Sequence, residues 1–538
     1  MSQSNPQRHR LPGKWKILVI SLCPGILALL TLPSLGQLVD KTRSPNTADS
    51  GIAKSLAEEI GAGRGDQVTP DSSAFMIARD PFRSIRRGRQ LFQRKFTRAQ
   101  GQGPLAGDGA GDVNTNLAIG AGLADSCASC HGRPRGSGGM GGVVVTRPDS
   151  RDAPHLFGLG LKEMLADEIT AELRSIRARA LAEAAQSRRD VTKRLVSKGI
   201  SYGLITAHGD GSVDTSRISG VDADLRVRPF FAHGGKISIR EFVIGALNDE
   251  MGLQAVDPDL MAAHNGARVT TPSGMVLDGS LDQITAPPTD DPAADPDGDG
   301  VADEIPASLV DHLEFYLLNY FKPALYEQNH VTETGNRIFT QIGCAQCHVQ
   351  NLTLDHDRRV ADVETAYDPE NGVFNSLFAA VLPLFAETRD QNGLPTLKQP
   401  KGGEFPVRNI FTDFKRHDVG PAFYERNYDG SMRREFLTTP LWGVGSTAPY
   451  GHDGRSINLR EVILRHGGEA QRARDAFARL PWMSQQMVTE FLNSLVIFPP
   501  DDTTSTLDPG NRQATGFPQF GHGSIRLTAL FNNPMDPE

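Results

Sequence analysis

Two copies of the pattern Cys-x-x-Cys-His are the part of this sequence with the clearest chemistry. Their residues are Cys127, Cys130 and His131 in the first copy, and Cys344, Cys347 and His348 in the second. Two thiols at this spacing can each form a thioether bond to one porphyrin, and the adjacent imidazole then becomes the proximal iron ligand. A zinc site and a thioredoxin-like redox pair are the alternatives, because both also use closely spaced cysteines. Since a histidine directly follows each pair, we predict two covalently bound c-type haems.

The cysteine count supports this prediction. The chain has 538 residues and 5 cysteines, and the fifth, Cys23, lies in an apolar N-terminal segment, so no pair is left for a disulfide framework. With 38% hydrophobic residues the chain can form several hydrophobic cores. Its net charge of -8 does not indicate a basic surface for binding nucleic acid. The 55 glycines and 35 prolines favour short elements joined by many loops.

The N-terminal segment has the order of a secretory signal peptide. Basic residues precede an uncharged run over 17–39, and small residues follow the most apolar part. We predict cleavage after Gly36 and export to the periplasm. A retained membrane anchor is the alternative, because the uncharged run could nearly span a bilayer. Pro24 and Pro33 interrupt this run and favour cleavage.

The elements that must hold the two motifs repeat along the chain. A Gly-x-x-apolar-Phe helix pattern precedes each motif, at 88–92 and 335–339. We predict a mainly α fold of two tandem cytochrome c-like haem domains, with long loops and little β structure. Residues 162–200 are expected to form an exposed helical insertion. The predicted segments are a signal peptide (1–36), a linker (37–75), an N-terminal haem domain (76–255), a second linker (256–310), a C-terminal haem domain (311–500) and a tail (501–538).

A second repeat follows each motif. Ser238 with Glu241 forms a capping box, and Asn458 with Glu461 forms a close variant, so each pair predicts the start of a short helix. The number of residues between the proximal histidine and this second repeat is similar in both copies. The chain is therefore predicted to hold two related haem domains.

The two copies differ where these helices end. His466 stands at the end of the second helix, and Ala246 occupies the matching place in the first. If His466 is the sixth ligand of the second haem, the first haem has an open face that suits peroxide or dioxygen. Glu250 lies four residues beyond Ala246, and a carboxylate there could move a proton between peroxide oxygens. In the alternative, His466 only caps its helix and Glu250 is a surface charge. Met140 and His155 are weaker candidates for a ligand of the first haem.

Longer stretches resemble the bacterial di-haem peroxidase superfamily, which includes the di-haem cytochrome c peroxidases, the methylamine-utilisation di-haem enzyme and the rubber oxygenases. The likeness is greatest to its di-haem oxidoreductase (thiol-oxidoreductase-like) branch. The stretches are 411–421, 438–445, 448–455 and 466–470, together with both haem motifs.

This resemblance implies roles for the two haems. The C-terminal haem is the electron-transfer haem, with His466 where peroxidases usually have methionine, which implies bis-His ligation. The N-terminal haem is the reactive one, and Glu250 matches the distal glutamate of an Asn-x-x-Glu-Met-Gly context. The aromatic residue that often lies between the haems is not a tryptophan here. Trp442 and Trp482 are the only tryptophans after the signal segment, so hopping through an indole between the haems is not expected.

An acidic loop in the second linker predicts a candidate calcium site. Asp295, Asp297, Asp299 and Asp303 present oxygens with the alternation of calcium loops. The alternative is an acidic, solvated linker, since the twelfth position of the loop is Pro306 rather than glutamate.

These features together predict a periplasmic di-haem peroxidase-type oxidoreductase. Electrons would come from a small redox protein or a quinone-linked donor, and peroxide or dioxygen would be reduced. No nucleic acid partner is expected, and membrane contact is expected only if the N-terminal segment is retained. A non-catalytic di-haem electron carrier and a di-haem oxygenase acting on an apolar polymer are the alternatives.

Overall fold

The computed structural model describes residues 55–103, 124–131, 152–319, 328–363, 381–389, 395–427 and 430–495. The chain separates into two units, Met1–Asp40 and Lys41–Glu538, and every described residue belongs to the second. The predicted signal peptide and the predicted tail therefore lie outside the described residues. Within the ranges above, no helix is long and apolar enough to cross a membrane.

Helices predominate in the part of the chain that is described, with 40% of residues in helices and 16% in strands. This agrees with the mainly α prediction in its coarse form. The α-helices are α1 (Leu56–Ile60), α2 (Ser73–Arg79), α3 (Pro81–Gln93), α4 (Cys127–His131), α5 (Leu159–Ser187), α6 (Ile239–Ala246), α7 (Pro258–His264), α8 (Ala307–Leu318), α9 (His330–Gln341), α10 (Leu459–Arg465), α11 (Gln471–Ala478) and α12 (Trp482–Asn493).

The strands are short and pair mostly in twos. One antiparallel sheet has three strands, β1 (Val191–Ser197), β2 (Ile200–Ala207) and β3 (Val213–Asp214). The remaining strands are β4 (Arg268–Thr270), β5 (Val276–Asp278), β6 (Leu352–Leu354), β7 (Ala361–Val363), β8 (Val381–Pro383), β9 (Phe385–Arg389), β10 (Pro395–Pro400), β11 (Phe405–Val407), β12 (Arg416–Asp418), β13 (Glu425–Arg426), β14 (Met432–Arg433) and β15 (Glu435–Leu437). Their pairs are β4–β5, β6–β11, β7–β8, β9–β10, β12–β15 and β13–β14.

The predicted helical insertion over 162–200 is only partly helical. Helix α5 ends at Ser187, and strand β1 follows, so the prediction of helix is wrong beyond this point. The reason is a hairpin: Lys198 and Gly199 both have positive φ (49° and 80°), which is the geometry of a tight two-residue turn. The first half of α5 is also buried rather than exposed, because its apolar residues belong to the main core.

Each copy of the Gly-x-x-apolar-Phe pattern lies in a helix whose glycine lets a second helix backbone approach closely. Helix α3 packs on α8, where a Cβ at Gly88 would lie 2.2 Å from the His312 carbonyl oxygen. Helix α9 packs on α12, where a Cβ at Gly335 would lie 1.9 Å from the Met487 carbonyl oxygen. Both glycines open the repeated Gly-x-x-apolar-Phe pattern, so close packing explains the repeat. Helix α8 thus packs on α3, which carries the first copy of the pattern, although most of α8 falls in the predicted C-terminal domain that begins at 311. The domain boundaries stay a prediction.

The two predicted capping boxes open the predicted helices. The Ser238 side chain accepts from the backbone N–H of Glu241 at 3.1 Å, at the start of α6. The Asn458 side chain accepts from the N–H of Glu461 at 2.9 Å, at the start of α10. Both predicted helix starts are confirmed, because capping depends on spacing along the chain. The reciprocal half of each box differs: the Glu241 and Glu461 side chains accept from the N–H groups of Ile237 and Ile457, one residue before the caps.

Two main hydrophobic cores lie beneath these elements. The larger combines α3, α5, α6 and α8 with residues around Leu352, Phe414 and Trp442. The smaller lies at the second motif and is formed by Phe339, Phe411, Leu459, Phe477, Val488, Phe491, Leu492 and Leu495.

A buried ion cluster holds α6 against its neighbours. The Arg240 guanidinium is fully buried and lies 2.7 Å from Asp257, 2.9 Å from Asp311 and 2.8 Å from Glu314. Asp257 caps α7, and the other two acids belong to α8. Arg240 therefore links three helices at the base of the segment that leads to Glu250.

Candidate haem-binding and distal sites

The first motif forms the short helix α4, which presents His131 at its end. The His131 ring lies 2.7 Å, through Nδ1, from the carbonyl oxygen of Pro154. Because a carbonyl only accepts, Nδ1 carries the proton and Nε2 presents its lone pair. Burial lowers the pKa of His131, so the ring is neutral at neutral pH. A neutral imidazole with Nδ1 held by a carbonyl is the form that binds iron.

The second motif reproduces this arrangement on a 3-10 turn, Cys344–Gln346. His348 donates through Nδ1 to the carbonyl oxygen of Phe411 at 3.1 Å. Burial lowers the pKa of His348 to about 4. Both predicted proximal histidines are therefore neutral and are oriented by a backbone carbonyl.

His466, the predicted sixth ligand of the second haem, directly follows helix α10. It donates through Nδ1 to the Val462 carbonyl oxygen at 2.7 Å, and the Phe423 ring meets its ring edge-on at 5.2 Å. Burial lowers the pKa of His466. Ile463 and Leu464, just before His466, pack on the smaller core that Cys344 also contacts, and Phe339 of this core lies 6.0 Å from the His348 ring. The helix that ends at His466 therefore packs on the core of the second motif.

The thiols do not match a thioredoxin-like pair. Such a pair depends on a lowered thiol pKa. Burial instead raises the pKa of Cys127 and of Cys344 to about 12. One group of close metal-ligating atoms, Cys347 with Asp413 and His417, includes a single cysteine of the second motif.

The distal candidate Glu250 lies in a π turn, Leu247–Met251, that continues α6 and ends at Gly252. The Glu250 side chain is half-buried. Its backbone carbonyl accepts from the N–H of Ala124 at 3.4 Å, just before the first motif. The predicted continuation of the helix is present with wider π geometry, and such turns are frequent at functional sites. The structure therefore places the Glu250 segment next to the first haem motif.

The comparisons with known proteins address the C-terminal half. Residues 384–495 match the family described as "Di-haem oxidoreductase, putative peroxidase". Over these residues the resemblance to the di-haem peroxidase superfamily is confirmed. This di-haem oxidoreductase segment contains His466 and all four stretches that carried the resemblance.

A solved structure and the curated proteins add little. The structure titled "Kuenenia stuttgartiensis Hydrazine Synthase Pressurized with 20 bar Xenon" is similar at 15% identity and a TM-score of 0.21. The similarity covers 35% of this chain and 55% of that chain, so this chain spans about half the length of that protein. No curated protein matches the chain.

Within the di-haem oxidoreductase segment, the structure shows a buried charged histidine that sequence reasoning missed. His417 lies 2.9 Å from Asp413 and 2.8 Å from Glu469, one carboxylate at each ring nitrogen. Burial by itself would lower the pKa of His417, but hydrogen bonds to Asp413 and Cys347 raise it to about 11. His417 is therefore an imidazolium beside the second motif. Its only signal was its place in the stretch 411–421.

A series of hydrogen bonds through the di-haem oxidoreductase segment connects the surroundings of the two proximal histidines. His155 directly follows Pro154, the partner of His131, and donates through Nε2 to the Trp442 carbonyl oxygen at 2.9 Å. Leu441, next to Trp442, donates to the Ile410 carbonyl at 3.0 Å, and Ile410 precedes Phe411, the partner of His348. The His155 Nε2 is therefore engaged by a backbone carbonyl, and its role as a ligand of the first haem stays a prediction. Met140, the other weak candidate, lies outside the described residues.

The acidic loop brings three of its four predicted ligands together. Ligand oxygens of Asp295, Asp297 and Asp299 lie within 4.8 Å of one another. Asp303 is exposed and is not part of this group. The next residue, Glu304, is buried, and this burial raises its pKa to about 8.

Proposed function

We propose that this protein is a periplasmic di-haem c-type oxidoreductase with peroxidase-like activity. One observation carries the proposal: three histidines each give their Nδ1 proton to a backbone carbonyl and present Nε2 as a neutral ligand. They are His131, His348 and His466. Two of them belong to Cys-x-x-Cys-His motifs, and the third lies near the second motif.

These residues fit two covalent haems. Each cysteine pair would supply the thioethers, His131 would hold the first iron, and His348 with His466 would hold the second. When bound, the haems would supply one-electron transfer and, at an open face, the reduction of peroxide or dioxygen. Two imidazoles favour ferric iron more than an imidazole with a thioether does, so the second haem would have a low potential.

Glu250 would serve proton transfer at the first haem. Reduction of peroxide to two waters consumes two electrons and two protons, and a half-buried carboxylate can carry a proton between the two oxygens. The backbone bond between Ala124 and Glu250 holds the glutamate segment next to the motif. The electrons would come from a small redox protein or a quinone-linked donor.

We also propose that the acidic loop binds calcium. One side-chain oxygen from each of Asp295, Asp297 and Asp299 lies within 4.8 Å of the others, a spacing that suits oxygen coordination of one cation. Calcium is the cation whose oxygen ligands and flexible geometry this spacing suits best.

The proposal is tested by absorption and electron paramagnetic resonance spectra of both oxidation states, with and without peroxide. We expect one low-spin haem and one haem that is high-spin or changes with peroxide. Two low-spin irons in both oxidation states would contradict the proposal and indicate a non-catalytic electron carrier. Oxygen consumption without peroxide turnover would replace it with an oxygenase.

The ligand assignment has a matched control. His466→Ala should convert one low-spin haem to high-spin, because it removes the sixth ligand. His264 is exposed and also donates through Nδ1 to a carbonyl, that of Ile284 at 2.7 Å, but its helix α7 packs on strands β4 and β5. His264→Ala should leave both spectra unchanged. An unchanged spectrum in His466→Ala would remove His466 from the haem site.

The proton-transfer assignment has a control in the neighbouring residue. Glu250→Gln should slow peroxide reduction at least about a hundredfold while both haem spectra stay intact. Asp249→Asn, which changes an exposed carboxylate in the same turn, should retain the activity. Equal rates in the two variants would contradict the role of Glu250.

A further inference from the structure

The loop that carries His466 lies directly on strand β12 and the residues that follow it. The Gly467 N–H donates to the Val419 carbonyl oxygen at 2.7 Å. The two backbones approach so closely that a Cβ at Gly468 would lie 2.2 Å from the Asp418 carbonyl oxygen. Glycine also suits the positive φ of 49° at this position. The position of the predicted sixth ligand therefore depends on the contact between 466–470 and 417–420.

Glu469 binds this loop to the strand through both of its carboxylate oxygens. Its Oε2 accepts from His417 Nδ1 at 2.8 Å, and its Oε1 accepts from the Asp418 backbone N–H at 3.1 Å. Two consecutive glycines separate Glu469 from His466. Because glycine has more backbone freedom than any other residue, a loop of this kind without an anchor would let His466 move. Glu469 supplies the anchor.

The other end of this ion pair is fixed inside the protein, beside the second motif. His417 Nε2 donates to the Asp413 carboxylate at 2.9 Å, and the two side chains are 7% and 3% exposed. Side-chain atoms of His417, Asp413 and Cys347 all lie within 4.8 Å of one another. Since the ring meets a carboxylate at each nitrogen, it donates from both and carries a positive charge. The buried imidazolium thus links the loop of the sixth ligand to a cysteine of the second motif.

The helix on the other side of His466 has an anchor of its own. Arg465 Nη2 lies 2.7 Å from Asp453 and donates to the Ala422 carbonyl oxygen at 3.0 Å. These two charged side chains are 15% and 6% exposed, whereas the Glu469 side chain is 53% exposed. An exposed ion pair is weaker than a buried one because water screens it. The Glu469 anchor is therefore the one at which the loop can open.

We propose that the His417–Glu469 ion pair positions His466 as the sixth ligand of the second haem, and that loss of this pair lets His466 leave the iron. The inference rests on the ligand assignment in the proposed function and adds the pair that controls exchange of this ligand. His417 and Glu469 are positioning residues, because they act through the loop that carries His466.

Cyanide binding to the ferric, haem-loaded protein tests the proposal. Cyanide should bind in a fast phase at the open first haem and in a slow phase at the second haem, where it must displace His466. Glu469→Ala should speed the slow phase at least about tenfold, or about 1.4 kcal/mol in activation free energy, and leave the fast phase unchanged.

Glu490→Ala is the matched control for this experiment. Glu490 is an exposed carboxylate of α12, which packs on the same core as the helix before His466. Both cyanide phases should keep the parent rates in this variant. An unchanged slow phase in Glu469→Ala, or an equal acceleration in Glu490→Ala, would overturn the proposal.

A double variant separates an action through His466 from a direct effect of the Glu469 charge. His466→Ala should bind cyanide rapidly at both haems, and addition of Glu469→Ala should then change the rates by less than about twofold. A further acceleration of about tenfold in the double variant would overturn the positioning role.

The spectrum of His466→Ala distinguishes the two proposals. If one low-spin signal is lost in His466→Ala while Glu469→Ala leaves the slow phase unchanged, the positioning role alone is wrong. If His466→Ala changes no haem spectrum, the ligand assignment in the proposed function is wrong, and the positioning role is overturned with it.

Discussion

Replacement of Arg240 by methionine offers a quantitative test of how the distal segment is held. The guanidinium is fully buried and satisfies Asp257, Asp311 and Glu314, whose side chains are at most 1% exposed. Methionine fills part of the same space but leaves these carboxylates without their cation. Removing one partner from such a buried cluster costs about 3–5 kcal/mol. We therefore expect Arg240→Met to lower the free energy of unfolding by about 4 kcal/mol at pH 8.

The loss should depend on pH in a defined direction. Burial raises the pKa of Asp257 and of Glu314 even with Arg240 in place, and without its charge both values rise further. An acid whose pKa is higher in the folded state binds its proton first in that state, so acidification stabilises the variant relative to the parent. The deficit of Arg240→Met should therefore be largest at pH 8 and smaller at pH 5.

Urea unfolding followed by circular dichroism measures both effects. A loss of about 4 kcal/mol lowers the urea midpoint by about 1 M. Arg268→Met is the matched control, because Arg268 is 70% exposed and lies 3.6 Å from Asp278. This exposed pair is worth less than about 1 kcal/mol. Equal midpoint shifts in the two variants, or a deficit in Arg240→Met that grows on acidification, would refute the reasoning.

Three further results are expected. Burial lowers the pKa of His312 to about 3, so protonation of this group in the unfolded chain lowers the free energy of unfolding by about 2 kcal/mol between pH 8 and pH 5. In His312→Asn, urea unfolding at the two pH values should no longer show this contribution. An unchanged pH difference would contradict the assignment. His155→Phe should slow electron equilibration between the haems about tenfold, or about 1.4 kcal/mol in activation free energy, in flash photolysis. His155→Gln can still donate to Trp442 and should keep the parent rate, whereas equal rates in both variants would exclude this route. Gly335→Ala places a Cβ 1.9 Å from the Met487 carbonyl and should cost about 1–3 kcal/mol in thermal unfolding, with no loss if the helices were loosely packed.

Sequence patterns are reliable here where the chemistry is local. A Cys-x-x-Cys-His motif is defined by neighbours along the chain, and so is a capping box. Helices α6 and α10 accordingly begin where Ser238 and Asn458 predict. The prediction of helix for the charged segment after α5 is wrong, because it relied on composition. The tight turn at Lys198 and Gly199 and the pairing of β1 with β2 make this segment a hairpin.

Tertiary structure decided the features that join distant residues. The alternation of acids selects Asp303, yet a left-handed backbone at that residue exposes it and buries Glu304. The carbonyl of Trp442 accepts from His155, 287 positions away in the chain, and no local pattern can specify such a bond. The cofactor chemistry of this protein is thus determined by the spacing of cysteine and histidine in the sequence. The surroundings of each histidine follow from packing between segments that only the fold brings together.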